Sequence, residues 1–263
     1  MAWFDFKKRI GEIIKNKDKL IDLSRNEFKE KYSGSVLGVF WAIIAPVILA
    51  FSIKIVFTNI FGVKIDGFFI FIISGIFPWI FFSDGTIGAL NAFYTKKSLL
   101  KQINLLPEFI PFSSVLSSFF NFLITLTIFM PLFVWVNHKN IMVFLLLPLY
   151  IFLFLTFILG MGGALAFFNM LSKDTYHFII SVITIWFWIT PVFYSQGMVP
   201  FPWRWICLLN PLTYYIKCFQ DVLFLGHWPG VTTTFIVMFI STLVFYLAIM
   251  LFIARGKELV KML

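Results

Sequence analysis

The chain of 263 residues is 60% hydrophobic and only 13% charged, with a mean hydropathy of +0.95. Soluble domains average about 25% charged residues, so this composition excludes a soluble domain and indicates an integral membrane protein. The formal net charge of +9 does not indicate nucleic-acid binding, because lysine and arginine occupy short segments between apolar runs and form no single soluble face.

Residues 1–32 are predicted to form a cytoplasmic region with an interfacial amphipathic helix. Large apolar side chains recur there at helical spacing, and basic residues lie between them. The apolar residues are Trp3, Phe4, Phe6, Ile10, Ile13 and Ile14. This pattern is typical of a helix that lies on the membrane surface and does not cross it. A helix packed on a partner would show the same periodicity, so both arrangements stay open.

Residues 33–263 are predicted to form an all-α integral membrane domain with six transmembrane helices. A spanning helix needs about 20 apolar residues. Six stretches approach or exceed that length: 38–60, 68–93, 109–136, 141–171, 176–193 and 231–254.

The basic residues between these stretches predict their orientation. Segments on the side of the N-terminus hold sixteen Lys and Arg, and the opposite segments hold four. Because cytoplasmic segments carry the excess of positive charge, both termini are predicted to be cytoplasmic. An even number of crossings agrees with this orientation.

The cytoplasmic segment 91–107 is longer than a simple turn requires. Its apolar residues are mixed with three lysines, and it closes at Pro107. This mixture predicts a short amphipathic helix, and a helix that lies on the lipid headgroups is one interpretation of it.

Residues 195–230 are apolar enough to enter the membrane, but Asn210-Pro211 divides them into two pieces that are too short to cross it. We expect a re-entrant helical hairpin before the last helix. Irregular backbone at membrane depth requires protein or a water-filled cavity around it, so this hairpin is predicted to face a pathway from the outer side. Arg204, Asn210 and Pro211 are its candidate gate residues.

Several kinds of chemistry are not predicted for this chain. It has no Gly-x-x-x-x-Gly-Lys-Ser/Thr loop, so it is not expected to bind ATP by that route, and it has no clustered catalytic or metal-ligating residues. Cys207 and Cys218 are predicted to be buried thiols, with a disulfide on the outer side as the alternative. Lys54 can extend its amine toward the outer surface, whereas Asp84 is either a hydrogen-bonded interior group or a proton relay.

The run from Leu23 to Pro46 resembles the entry to the first membrane helix of permeases from polysaccharide-exporting ABC transporters. The residues that carry this resemblance are Leu23, Arg25, Lys29, Tyr32, Ser35, Leu37, Gly38, Trp41 and Pro46. A second match comes at Pro191 and Asn210-Pro211-Leu212, and segment 91–107 is loosely similar to the second cytoplasmic loop of that family.

The resemblance implies the membrane-spanning channel subunit of an ATP-driven exporter for lipid-linked polysaccharide of the O-antigen type, in the cell inner membrane. Such permeases form homodimers, and each copy docks one P-loop ATPase subunit. Two ATPase copies would hold the ATP and Mg²⁺, with no cofactor bound by this chain. Segment 91–107 would be the coupling helix, with the ATPase contacts at Lys96, Lys97, Leu100 and Lys101.

Under the same resemblance, aromatic side chains would line the channel, because flat rings pack well on the C–H faces of sugars. The candidates are Phe40, Trp41, Trp186, Trp188, Phe193 and Tyr194. Arg25, Lys29 and Lys31 would hold the pyrophosphate of a polyprenyl-linked substrate at the inner leaflet. Lipid-facing aromatics and the cytoplasmic excess of positive charge would account for the same residues.

Other functions stay open at this point. Within the same class, the cargo could be teichoic acid, a capsular polymer, or a small lipid or drug. From a different class, the chain could be a polyprenyl-phosphate membrane enzyme or a stand-alone flippase. An enzyme of that kind needs acidic or His/Arg clusters at one membrane face, which this sequence lacks.

Overall fold

The computed structural model describes residues 2–97, 106–138, 140–172 and 174–262. Within these ranges the chain forms helices and turns, without a strand. The α-helices are α1 (Ala2–Lys15), α2 (Lys17–Tyr32), α3 (Trp41–Ile55), α4 (Phe68–Thr95), α5 (Phe109–Val136), α6 (Leu147–Leu171), α7 (Asp174–Ile189), α8 (Arg204–Leu209), α9 (Pro211–Gln220) and α10 (Val231–Met262).

Two helices, and not one, precede the membrane bundle. They meet at Asn16, whose side chain donates back to the carbonyl of Glu12 at 2.9 Å. The Phe6 ring of α1 lies 5.0 Å from the Tyr246 ring of α10, and Ile10 packs into the same apolar cluster. The apolar face of α1 therefore packs in part on the chain's own helices, an arrangement that periodicity alone does not distinguish from packing on lipid.

Five segments of the described chain are long and apolar enough to cross a membrane: Gly38–Ile60, Phe68–Thr95, Phe109–Val136, Ile141–Leu171 and Val231–Gly256. The chain is therefore a multi-pass membrane protein. The stretch predicted at 176–193 forms the shorter helix α7, which ends at Ile189 because Pro191 follows and the residue before a proline disfavours the helical conformation.

Helix α4 lies at the centre of the bundle. Of the 18 residues that make up its apolar stretch, 72% are buried, whereas the share is only 17% in the segment Gly38–Ile60 that contains α3. Buried aromatic rings surround it, and Phe81 alone contacts rings from α5 and α6. Helix α4 thus forms the core against which α3, α5, α6 and α9 pack.

The small residues of α6 pack within the subunit. A Cβ atom added to Gly160 would lie 2.6 Å from the backbone nitrogen of Phe245 in α10. One added to Gly162 would lie 2.8 Å from the Cβ of Ala89 in α4. Glycine is therefore required for this close approach of helices inside one chain.

Contacts between turns define two sides of the bundle. On one side, Arg9 of α1 binds Glu108 at the start of α5, next to the C-terminal part of α10. On the other side, Asn137 and Asn140 follow α5, and their side chains donate to the carbonyls of Leu223 and Gly226, each at 2.7 Å. The described parts of the two chain ends therefore lie on one side, and the residues that follow α9 lie on the other.

Candidate functional site

An ion pair joins α2 to the end of α4. The Lys96 amine donates to the carboxylate of Glu27 and to the hydroxyls of Ser113 and Ser114 on α5, at 2.8 and 3.0 Å. Burial lowers the pKa of the Lys96 amine, and the Glu27 carboxylate opposes this effect. One lysine thus connects three helices.

The four predicted coupling residues are placed unequally. The Lys96 amine points into the protein, whereas Lys97 is exposed. Leu100 and Lys101 lie outside the described residues. Among the residues that the structure describes, Lys97 is the exposed member of this set.

A second pair of contacts fixes the last turn of α2. Lys31 Nζ donates to Asp84 Oδ2 at 3.1 Å, and the Tyr32 hydroxyl donates to Asn121 Oδ1 at 2.7 Å. Burial raises the pKa of Tyr32, which keeps its hydroxyl protonated as a donor. Asp84, whose role the sequence left open, is thus a partner of Lys31.

Below this turn of α2, a groove of about 380 Å³ lies between α2, α3, α4 and α5. Its volume is within the range of small-molecule pockets, about 300–1,000 Å³. One end of the groove is polar and is lined by Lys31, Tyr32, Asp84, Ser118 and Asn121. Apart from Thr125 the rest is apolar, and α3 forms one wall of it with Trp41, Ala42, Ala45, Pro46 and Leu49. The groove is therefore amphiphilic.

A side-chain hydrogen bond supports the α3 wall of the groove. Pro46 has no N–H, so the carbonyl of Ala42 lacks its helical partner. The Thr125 hydroxyl of α5 lies 3.1 Å from this carbonyl and 3.0 Å from that of Asn121 in its own helix. Backbone groups inside a membrane must be paired within the protein, so Thr125 compensates for the proline.

The three basic residues predicted to bind pyrophosphate do not form one cluster. Lys31 lines the groove and pairs with Asp84. Arg25 and Lys29 are exposed and one helical turn apart, so they share a different face of α2. The structure therefore separates one predicted ligand from the other two.

The six predicted channel aromatics occupy three places. Trp41 lines the groove, with Phe40 exposed immediately before it. Phe193 is buried, and its ring lies 5.6 Å from Trp188 and 5.4 Å from Tyr194. The third place is that of Trp186, whose indole is turned toward Asn210 between α8 and α9.

Asn210 fixes the bend between α8 and α9. Its Oδ1 accepts from the Leu212 backbone N–H at 3.0 Å and from Trp186 Nε1 at 2.7 Å, and its Nδ2 donates to the Thr190 hydroxyl at 2.8 Å. Pro211 occupies the first position of α9, where its missing N–H costs nothing. The helix break predicted at Asn210-Pro211 is present, since one helix ends at Leu209 and the next begins at Pro211.

The other predicted hairpin residues lie on either side of this bend. Arg204 begins α8 and is exposed. Cys207 and Cys218 are buried free thiols, as predicted. Gln220 Nε2 donates to the carbonyls of Pro191 and Val192, both at 3.1 Å, and so holds the chain that follows α7.

One ion pair on the N-terminal side was missed by the sequence reasoning. The Arg9 guanidinium binds Glu108 through two hydrogen bonds of 2.6 and 2.8 Å, and the Glu108 side chain is fully buried. Glu108 directly precedes α5, where a helix N-terminus favours negative charge. Its position ahead of a long apolar run was the available signal, but nothing in the sequence identified Arg9 as its partner.

These features define an all-helical, multi-pass membrane protein whose N-terminal helices dock on one end of the bundle. The chain belongs to the ABC-2 type transporter family, whose model matches residues 20–224. It is therefore a membrane permease of an ABC-2 type transporter.

Curated relatives span nearly the whole chain. An O-antigen export system permease protein RfbA of Myxococcus xanthus is 25% identical over 251 residues, which cover 95% of this chain and 96% of that protein. A protein of the same name from Klebsiella pneumoniae is 26% identical over 230 residues, covering 86% and 89%. Another from the same organism is 26% identical over 210 residues, covering 80% and 81%. The resemblance to polysaccharide-export permeases is thus confirmed.

Proposed function

We propose that the chain is the channel subunit of an ATP-driven exporter that moves lipid-linked polysaccharide of the O-antigen type out of the cytoplasm. The observation that carries this proposal is its similarity to O-antigen export permeases along 95% of its own length and 96% of theirs. Because that similarity spans both chains, it is not confined to a common helical segment.

We place the protein in the inner membrane with six crossings and cytoplasmic termini. Helix α7, continued by the residues before Gln196, forms the fifth crossing, and α8 and α9 form the re-entrant hairpin. The sixteen-to-four distribution of basic residues supports this orientation. The packing of α1 near the start of α5 and the end of α10 also supports it, because it puts the described chain ends on one side.

We assign two kinds of protein partner to the permease. Two copies of this chain form the channel, and two P-loop ATPase subunits bind ATP and Mg²⁺ at its cytoplasmic face. The segment 91–107 couples them, and Lys97 is the exposed residue at its described end. Hydrolysis of ATP is thus assigned to the partner, and the chain itself acts as a transport subunit.

The substrate contacts follow from where the candidate residues lie. Arg25 and Lys29 share an exposed face of α2, which suits the pyrophosphate of a polyprenyl carrier at the inner leaflet. Trp188 and Tyr194, whose rings lie on either side of the buried Phe193 ring, would contact sugar rings during passage. Arg204, at the exposed start of α8, would contact the polymer at the outer side.

Other cargoes of the same class, teichoic acid or capsular polymer, would use the same architecture. The names of the relatives favour O-antigen. The domains of the ATPase partner would distinguish these cargoes further, because an appended carbohydrate-binding domain in that subunit would favour O-antigen.

Affinity purification in mild detergent, followed by mass spectrometry, tests the proposal. We expect a P-loop ATPase at a one-to-one ratio with this chain. Deletion of the gene is expected to remove the surface polymer and to leave lipid-linked polymer inside the cell. A folded, monodisperse chain that co-purifies with no ATPase would contradict the proposal and favour a stand-alone flippase.

A further inference from the structure

The groove between α2, α3, α4 and α5 has the polarity of a lipid. Its polar end contains Lys31, Tyr32 and Asp84, and its apolar wall follows one face of α3. Two positions of this wall, Ala42 and Ala45, are small and therefore leave room beside the helix for a hydrocarbon chain.

The groove opens onto an exposed face of the bundle. Helix α3 has the smallest buried share among the five described spanning segments, 17%. Trp41 and Leu49, which line the groove, are also exposed on the surface of the bundle. Tryptophan is enriched where membrane meets water, which agrees with a headgroup at this end of the groove. A lipid can thus enter sideways, without separation of the helices.

The charges at the polar end select the headgroup. Lys31 and Asp84 lie 3.1 Å apart, and their side chains are 42% and 45% exposed. An anionic headgroup would be attracted by Lys31 and repelled by Asp84, so it gains little from the pair. A headgroup with one positive and one negative group can match both residues. Because half-exposed ion pairs contribute little stability, the pair can open to admit such a headgroup.

We propose that this groove binds one membrane phospholipid with a zwitterionic phosphoethanolamine headgroup. The lipid phosphate binds Lys31, its ammonium group binds Asp84, and one acyl chain lies along α3 toward Leu49. The lipid fills the space between α3 and its neighbours and links the last turn of α2 to the bundle. The site is independent of the exported cargo, so it stands or falls separately from the proposed function.

Native mass spectrometry of the purified, delipidated full chain tests the proposal. The probes are phosphatidylethanolamine and phosphatidylglycerol with identical acyl chains. We expect phosphatidylethanolamine to be retained roughly fivefold better, the ratio that corresponds to one exposed charge pair.

Two variants separate the headgroup from the acyl chain. Asp84→Asn is nearly isosteric and removes the partner of the ammonium group, so the preference for phosphatidylethanolamine should disappear or reverse. Asp66→Asn, an exposed carboxylate before α4, is the matched control and should keep the wild-type ratio. Ala45→Trp fills the apolar part and should reduce retention of both lipids.

Three results would overturn the proposal. The first is equal retention of the two lipids by the wild-type chain, and the second is an unchanged ratio in Asp84→Asn. The third is displacement of phosphatidylethanolamine by a polyprenyl pyrophosphate at lower concentration than by phosphatidylglycerol, which would assign the groove to an anionic carrier. If Ala45→Trp does not fold, Asp84→Asn decides the question alone.

Discussion

The Arg9 guanidinium donates two hydrogen bonds to the buried carboxylate of Glu108, at 2.6 and 2.8 Å, across 99 positions of sequence. This bidentate pair fixes α1 at the N-terminus of α5. Paired charges of this geometry are among the stronger polar contacts in proteins. The position of the N-terminal helix is thus determined by a specific contact in addition to its apolar face.

Arg9→Met should destabilise the docking of α1 by about 3–5 kcal/mol, because it leaves the buried Glu108 carboxylate unpaired. Hydrogen exchange of α1 measures this effect as lost protection. The exposed Arg25 provides the control, since Arg25→Met should change stability by less than about 0.5 kcal/mol. Equal protection in Arg9→Met and wild type would mean that apolar packing alone holds α1.

The pair Glu27–Lys96 predicts non-additive behaviour. Glu27→Gln and Lys96→Met should each lower the free energy of unfolding. The double variant should lower it by less than the sum of the two single losses, with a coupling energy of about 0.5–3 kcal/mol. The free energy of unfolding by SDS in mixed micelles measures each term. The exposed neighbour Lys97 serves as the control position, and additivity of the two changes would contradict the pairing.

The lowered pKa of Lys96 predicts the sign of a pH effect. Because the folded chain holds this proton less tightly than the unfolded chain does, stability should rise with pH between the lowered pKa and the ordinary value of 10.5. Lys96→Met should remove this contribution. The difference between the two unfolding curves, measured across that window, isolates it from the other lysines, and a falling difference would contradict the sign.

The long helices were predictable because their signal is local. The predicted stretches 38–60, 109–136 and 141–171 coincide with spanning segments of the structure. Asn210-Pro211 likewise carries its own signal, since an N-cap and a first-turn proline depend on adjacent residues. Apolar length and helix breaks are therefore readable from neighbouring positions.

Contacts between distant residues were not predictable in this way. Asp84 had no assignable role in the sequence because its partner, Lys31, is 53 positions away. Lys96 is a further example, since a lysine that follows a long apolar stretch gives no sign that its amine turns inward to Glu27. The Lys31–Asp84 contact lies at the polar end of the groove, so the groove emerged only from the three-dimensional arrangement.

Thr125→Val should weaken the packing of α3, because it leaves the Ala42 carbonyl without a donor opposite Pro46. Interhelical hydrogen bonds in membranes contribute about 0.6–1.7 kcal/mol, which sets the expected loss in the SDS unfolding assay. Thr127→Val changes the same residue type two positions away, where the side chain is exposed, and should have little effect. Equal effects of the two changes would show that Thr125 does not compensate for the proline.

Combined truncation of Lys97 and Leu100 to alanine should uncouple export from ATP hydrolysis. The reason is that segment 91–107 is proposed to contact the ATPase, and Lys97 is exposed at its described end. In proteoliposomes that contain the complete complex, ATPase activity should persist while export falls. Lys64→Ala, on the opposite side of the bundle, carries the same loss of charge and should leave both rates unchanged. Wild-type export by the Lys97/Leu100 double variant would contradict the coupling role of this segment.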